Sequence, residues 1–319
     1  MIHLANRYPG SRLTNLLVVV VMVLNIASPT TALAQDGENE INETGIVVST
    51  PDLVIRSCPR PSCDAVRVIN LGDTMIVTGA TEDGYLPVRI GDQGGYAWSL
   101  FVASPSNGTP ALERGTPGCD RVALIFNLGR GSFDDPFSWN MVDYLVAESV
   151  PATMFARAWW SSYYPAWAYE LDQAGFVVGI HGEPGLSLND QTAEAAMTTI
   201  VDAQTRLEAA LGHAADPVFT PFDPDTNPDV LSMVALDGFL PVIGDVQGHD
   251  GHDSGASPET VTANVLENVY DGAIIELHLD SPTGVSSTAT ALPGLIASLR
   301  EEGYTFVTIP ELAQPCSAA

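Results

Sequence analysis

Side chains able to do chemistry fall in a few tight groups along the 319 residues. The densest is Asp245-Val-Gln-Gly-His249-Asp250-Gly-His252-Asp253. His249 and His252 stand three apart among three acids, which is enough to offer a divalent metal ligands. The same run also suits a polar, glycine-rich surface loop. Phe133-Asp134-Asp135 is a second acidic string, read as loop acids or a helix N-cap cluster. Trp159, Trp160, Tyr163 and Tyr164 form a dense aromatic patch. Flat rings of this kind suit the faces of sugars, and they equally suit a packed lid or a domain interface. Four cysteines allow three pairings, and Cys58–Cys63 with Cys119–Cys316 is favoured because each bridge stays inside one proposed domain. No histidine spacing accompanies them, which argues against a zinc site there.

These groups need elements to hold them. Residues 1–34 read as a signal peptide: Arg7 and Arg12 precede an apolar run from Leu16 to Ala27, and Ala32-Leu33-Ala34 offers a cleavage site. The run is short for a membrane span, so no stable span is expected after cleavage, although an uncleaved anchor remains an alternative. Residues 35–44 are an acidic, polar leader. Residues 45–104 carry short alternating runs punctuated by Gly, Pro and Asp, the pattern of a small all-β barrel. Residues 105–118 are a linker by composition. From Cys119 to Cys316 apolar strands (Val122–Phe126, Ala152–Phe155, Phe176–Ile180) alternate with helical stretches (Trp139–Glu148, near Trp167–Ala174, about Ala193–Leu211). That alternation predicts an α/β domain with a parallel sheet or barrel.

Composition narrows the partners. The formal charge is −27, from 39 acids and 12 basic residues, all of them Arg. Losing residues 1–34 removes two Arg and no acid, making it −29. Such a chain repels nucleic acid and anionic membrane surfaces. The signal peptide and the cysteines together place it outside the cell or in the envelope.

Two resemblances follow. Leu53-Val-Ile-Arg56-Ser57, Gly72-Asp-Thr, Gly84-Tyr85-Leu-Pro-Val88-Arg89 and Gly95-Tyr96-Ala-Trp98 resemble the bacterial SH3-like domain. The resemblance implies binding to peptidoglycan or another wall glycan, with Tyr85, Tyr96 and Trp98 as a platform or as barrel core. Residues 120–312 resemble the polysaccharide deacetylase (NodB-homology) family. The matching residues are Val122–Phe126, Val150-Pro-Ala-Thr-Met-Phe155, Ala174-Gly-Phe-Val-Val-Gly-Ile-His181, Phe219-Thr-Pro-Phe222, Ile275-Glu-Leu277-His278 and Leu292–Leu312. That resemblance implies a distorted (β/α) barrel with its site at the C-terminal ends of the strands.

It also implies a chemistry: glycan deacetylation by a divalent metal on one Asp and two His, a second Asp as base, and a late His as acid. Matched residue by residue, the base position is Asn127 and the metal-Asp position is Leu128. His181 is the first metal-His position and Gly185 the second. Thr220 stands where an Arg would orient the base. An amide is no base at neutral pH and Leu ligates nothing. His278 keeps the general-acid position, Leu277 lines the acetyl pocket beside it, and Asp245 also survives. Glu183 has the wrong spacing to replace a ligand.

The expected protein is therefore an inactive family member, needing no cofactor, that binds cell-wall or extracellular polysaccharide through Trp159, Trp160, Tyr163, Leu277, Tyr96 and Trp98. Two rivals stand beside it. One is a divergent deacetylase or esterase holding zinc or another divalent metal with Asp134, Asp135, Glu183, His249, Asp250 or His252. The other is a structural envelope protein using both domains for protein contacts.

Overall fold

The structure, a computed structural model, describes residues 41–129, 137–183, 190–222, 227–251, 256–280 and 287–316. The expected signal peptide and most of the leader lie outside that set. Among the described residues no helix is long and apolar enough to cross a membrane.

Seven strands form the first sheet: β1 (Glu43–Val47), β2 (Asp52–Arg56), β3 (Ala65–Asn70), β4 (Thr74–Val77), β5 (Tyr85–Ile90), β6 (Gln93–Trp98) and β7 (Val102–Ala103). Their order is β3-β2-β6-β5-β4-β1-β7, with antiparallel pairing throughout. Alternate residues point inward, so Leu53 and Ile55, Met75 and Val77, and Leu86 and Val88 are buried together. The first strand begins two residues ahead of the expected boundary at 45. Glu43, a poor strand former by type, is anchored there because its carboxylate accepts from Ser104 Oγ at 2.7 Å and Ser106 N at 3.0 Å.

The second sheet is parallel and curled. Its strands are β8 (Arg121–Leu128), β9 (Ala152–Ala156), β10 (Val177–His181), β11 (Val218–Thr220), β12 (Leu240–Pro241), β13 (Val246–Gln247), β14 (Ile274–Leu277) and β15 (Thr305–Phe306). The order is β12-β11-β10-β9-β8-β14-β13, with β15 beside the start of β8. Helices lie between the strands: α1 (Trp139–Ala147), α2 (Ala158–Tyr163), α3 (Pro165–Gln173), α4 (Ala193–Leu211), α5 (Pro228–Leu236), α6 (Pro258–Leu266), α7 (Ala289–Glu301) and α8 (Ile309–Leu312). Local chemistry sets their ends. In α4 the Thr192 hydroxyl accepts from Ala195 N, and Gly212 closes the helix at φ 79°.

Strand β8 divides the core. Val122, Leu124, Phe126 and Leu128 pack outward with Leu145 of α1 and Leu207 of α4. Ala123 and Ile125 face inward with Phe155, Val218 and Ile274. The inner side also meets the first sheet through a shared apolar cluster that includes Val47, Leu53 and Leu112. Leu112 belongs to the segment 105–118, expected as a linker. Its N–H donates to Pro241 O at 2.8 Å and its carbonyl accepts from Ile243 N at 3.0 Å. The segment is thus built onto the sheet edge beside β12.

The cysteines pair as Cys58–Cys63 and Cys119–Cys316, with Cα separations of 5.7 and 6.4 Å. The long bridge ties the C-terminus to the entrance of β8. Trp98 Nε1 donates to Ala313 O at 3.0 Å on the same C-terminal stretch.

Candidate functional site

Parallel register gathers the polar side chains at one end of the second sheet, with Asn127 level with Phe155 and Gly179 and His181 two residues further along β10. Leu277 pairs with Phe126, so His278 lies level with Asn127. Asn127 pairs with Phe155, and His181 pairs with Thr220. By strand alternation Asn127, His181, Thr220 and His278 share the inward face with Ile125 and Phe155. All four are buried. Leu128 and Leu277 alternate to the other face and sit in the helix-side cluster. A carboxylate or a pocket wall is therefore not what either side chain supplies on the inward face.

His278 is the most firmly held of the four. Asp250 accepts from its Nδ1 and from its backbone N–H, each at 2.8 Å, and from Thr288 Oγ1 at 2.6 Å. Asp250 is 0% exposed. Burial pushes its carboxyl up, but the hydrogen bond and charge of His278, with the Thr288 hydroxyl, outweigh this and hold it below the usual carboxylate range. Gly251 follows, and a Cβ there would lie 2.4 Å from His278 Cε1, so only glycine lets the turn close over the ring. His181 Nδ1 is 2.7 Å from Gly182 O. Asn127 is 5% exposed, and its Oδ1 is buried with no hydrogen-bond partner.

The turn after β8 is clamped from two sides. Gly129 (φ 90°) donates its N–H to Asp280 Oδ2 at 2.6 Å and accepts at its carbonyl from Arg157 Nη1 at 2.5 Å. Arg157, 3% exposed, lies with Cζ 4.6 Å from the Phe222 ring centre. Glu183 Oε1 accepts from Ala158 N at 2.8 Å and so caps α2. Arg157, Asp280 and Thr288 escape a reading by motif. The one signal for Arg157 is a lone cation inside an otherwise uncharged stretch, Ala152–Ala158.

The other expected residues fall as follows. Asp245 lies at the opposite end of β13 from His278, about 13 Å along the strand direction. It accepts from Tyr270 Oη, and burial raises its carboxyl against the opposing pull of the Ile274 N–H and Arg114. That position separates it from the four. His249 is exposed at φ 54°, next to an Asp250 already committed to His278. Asp134, Asp135, Gly185, His252 and Asp253 lie outside the described residues. Trp160 is 1% exposed and sits among Phe137, Tyr164 and Trp167, so its faces serve packing and not a sugar. Tyr163 is 59% exposed beside Tyr164, and Trp159 is half-buried. Tyr96 and Trp98 are half-buried, while Tyr85 is buried against Trp98.

The donor set fits a metal poorly. His181 is the one ligand-type side chain at the matched ligand positions among the described residues. Among those residues no group of three His, Cys, Asp or Glu is arranged to hold an ion.

Residues 114–239 match the family model described as polysaccharide deacetylase. A peptidoglycan-N-acetylglucosamine deacetylase of Bacillus cereus is 26% identical over 193 residues, 60% of this chain and 68% of that protein. A peptidoglycan-N-acetylglucosamine deacetylase of Listeria monocytogenes is 26% identical over 239 residues, 74% of this chain. The chain spans 47% of that protein's length. Among solved structures, a CE4 family pseudoenzyme from Bacillus anthracis superposes with a TM-score of 0.57 at 23% identity, covering 63% of this chain and 68% of that one. The last likeness is one of fold.

Proposed function

We propose that this chain, which carries a polysaccharide deacetylase domain, is an exported, catalytically inactive member of that group that binds a cell-wall or extracellular glycan. The observation that carries the reading is the end of β8. Asn127 offers an amide where a base is needed, and Leu128 turns a hydrocarbon into the helix-side core. Proton abstraction from water needs a group that can take the proton near neutral pH, and an amide cannot. His278, even oriented by Asp250, donates a proton only after something else has driven attack.

The peptidoglycan deacetylases among the relatives support a wall glycan as ligand. The first sheet, read as an SH3-like domain, would add a second contact and so avidity. Tyr163 and Trp159 are the aromatic side chains suited to a sugar face; Tyr96 and Trp98 are half-buried.

The test pairs metal analysis with turnover and binding. Purified protein is expected to hold substoichiometric zinc, to leave acetylated chito-oligosaccharides and aryl acetates intact, and to be retained on purified cell wall. Stoichiometric metal with chelator-sensitive hydrolysis would overturn the reading in favour of a rebuilt site. No retention on any glycan would favour a purely structural envelope role.

A further inference from the structure

Charge is spread unevenly along this chain. Against a whole-chain value of −27, residues 56–67 hold three Arg and one Asp. Arg60 and Arg67 are exposed and Arg56 is half-buried. Salt screens charges beyond about 8 Å at 0.15 M, so this cationic island acts locally whatever the distant acids do. It is also rigid. Cys58–Cys63 closes the loop between β2 and β3, and within it Cys63 N donates to Arg60 O at 3.2 Å. Arg56 Nη1 donates to Cys63 O at 2.8 Å, which ties the guanidinium to that loop.

Sheet register sets rings beside it. Arg56 pairs with Tyr96, and Tyr96 pairs in turn with Pro87. Trp98 pairs with Tyr85 on the same two strands. Leu53, Ile55, Leu86 and Ala97 alternate into the core, so Arg56, Tyr96, Trp98 and Pro87 share the opposite face. Directly paired side chains start about 5 Å apart. Tyr96 and Trp98 are half-buried, and Trp98 is steadied by Nε1 donating to Ala313 O at 3.0 Å. Burial raises the Tyr85 hydroxyl's pKa, and nearby Arg56 pulls it the other way. A guanidinium has five N–H donors, more than Cys63 and Tyr85 can use.

We propose, on the glycan-binding reading above, that this face of the first sheet takes the carboxylate of an acidic sugar, with Arg56 as its anchor. A planar carboxylate meets a guanidinium through two parallel charge-assisted hydrogen bonds. Arg60 adds local positive charge, and the Tyr96 ring supplies a surface for the sugar itself. A neutral sugar gains only the ring contact. The second contact of the glycan reading thereby acquires a chemical preference that the acidic remainder of the chain works against.

Isothermal titration of the full chain with trigalacturonate and with its methyl ester, at pH 7 and 0.15 M salt, tests this. The acid is expected to bind at least fivefold more tightly than the ester. Bulk attraction cannot produce that order in a protein of net charge −27. Arg56→Gln is expected to abolish the preference. Arg60→Gln, at an exposed loop position, is expected to cut it at least twofold, which guards against an Arg56 variant that merely fails to fold. Arg300→Gln removes a barrel cation paired with Glu148 and is expected to leave the preference intact. Equal binding of acid and ester overturns the proposal and leaves the glycan reading standing. So does a preference that survives both loop variants, or one that Arg300→Gln reduces as much as they do. Binding of neither oligomer overturns the proposal, and if purified cell wall is not retained either, the glycan reading falls with it.

Discussion

Asp250 grips His278 at two points, the ring Nδ1 and the backbone N–H, both at 2.8 Å. One carboxylate thereby fixes the imidazole's tautomer, its plane and the path of the chain leaving β14. Thr288, just ahead of α7, completes the grip. The pair is sealed from water, so each bond is stronger than at the surface and costlier to break.

Asp250→Asn measures that grip. An amide oxygen can replace one acceptor, but its NH2 group meets donors at the other. The expected cost is about 2–3 kcal/mol in urea unfolding, with weakened glycan binding. Thr288→Val removes one donor and leaves the carboxylate paired, at a cost of about 1 kcal/mol. Equal effects from the two variants would show that Asp250 is not the organising group.

Acid stability follows from opposing carboxyls. Asp250 and Asp271 are both held low. For Asp271 burial pushes the carboxyl up, and the backbone N–H groups of Arg121, Cys119, Gly118 and Asp120 outweigh it. A depressed folded pKa gives stability that is present above the unfolded value, about 3.9, and lost as pH falls through the folded value. Asp216, Asp237 and Asp245 are raised, chiefly by burial. Their contribution is present below about 3.9 and lost as pH rises through their higher folded values. Melting temperature against pH should therefore peak on the mildly acid side and fall steeply below about pH 4. Asp271→Asn should flatten the acid limb; an unchanged limb would remove Asp271 from the explanation.

Reversion of the β8 motif separates its two positions. Asn127 faces inward beside His278, so Asn127→Asp is expected to be tolerated, costing under about 2 kcal/mol. Leu128 is fully buried among Phe126, Leu145 and Trp160 in the helix-side cluster. Leu128→Asp puts a carboxylate in hydrocarbon and should cost about 3 kcal/mol or more. Neither alone should bind zinc, since one His and one Asp make too few ligands. A single reversion that acquires tight metal would overturn this expectation.

Much of this architecture was legible because parallel strands and long helices write strong patterns. The run Val122–Phe126 sits inside β8, and α4 spans 193–211 as its apolar spacing suggests. The cysteine pairing was legible from domain logic alone. What was lost is contact between residues distant in sequence. Asp250 looked like one ligand of a local His-Asp run, yet its partner is 28 residues away, just after β14. Asp245 lies in the same short run and ends at the wrong end of the sheet, because Val246 and Gln247 form a strand between them. Trp160 and Tyr163 lie three apart on α2, yet Trp160 is buried and Tyr163 is exposed. Arg157 belongs to no motif, and only the fold shows it bonded to Gly129.

The C-terminal clasp supplies the last prediction. Cys316 closes a bridge to Cys119 across 197 residues. Arg121 donates to the carbonyls of Glu311 and Gln314 at 3.0 and 3.1 Å, and Trp98 donates to Ala313 O. Ile309 N donates to Thr153 Oγ1 at the inner floor of the sheet. The stretch 309–316 is thus the piece that both sheets hold. In the chain-entropy view the bridge adds at most about 5 kcal/mol by restricting the unfolded chain. Cys119→Ser/Cys316→Ser should lower stability by up to that amount and, more specifically, speed amide hydrogen exchange at 309–316 and around Trp98. The site residues at the far ends of the strands should keep their protection in the native state. Trp98→Phe, which keeps an aromatic ring and loses the indole donor, should speed exchange at 309–316 and cost about 1 kcal/mol or more. Exchange that rises at His278 as much as at Ala313 would mean that the clasp supports the whole barrel and not its base.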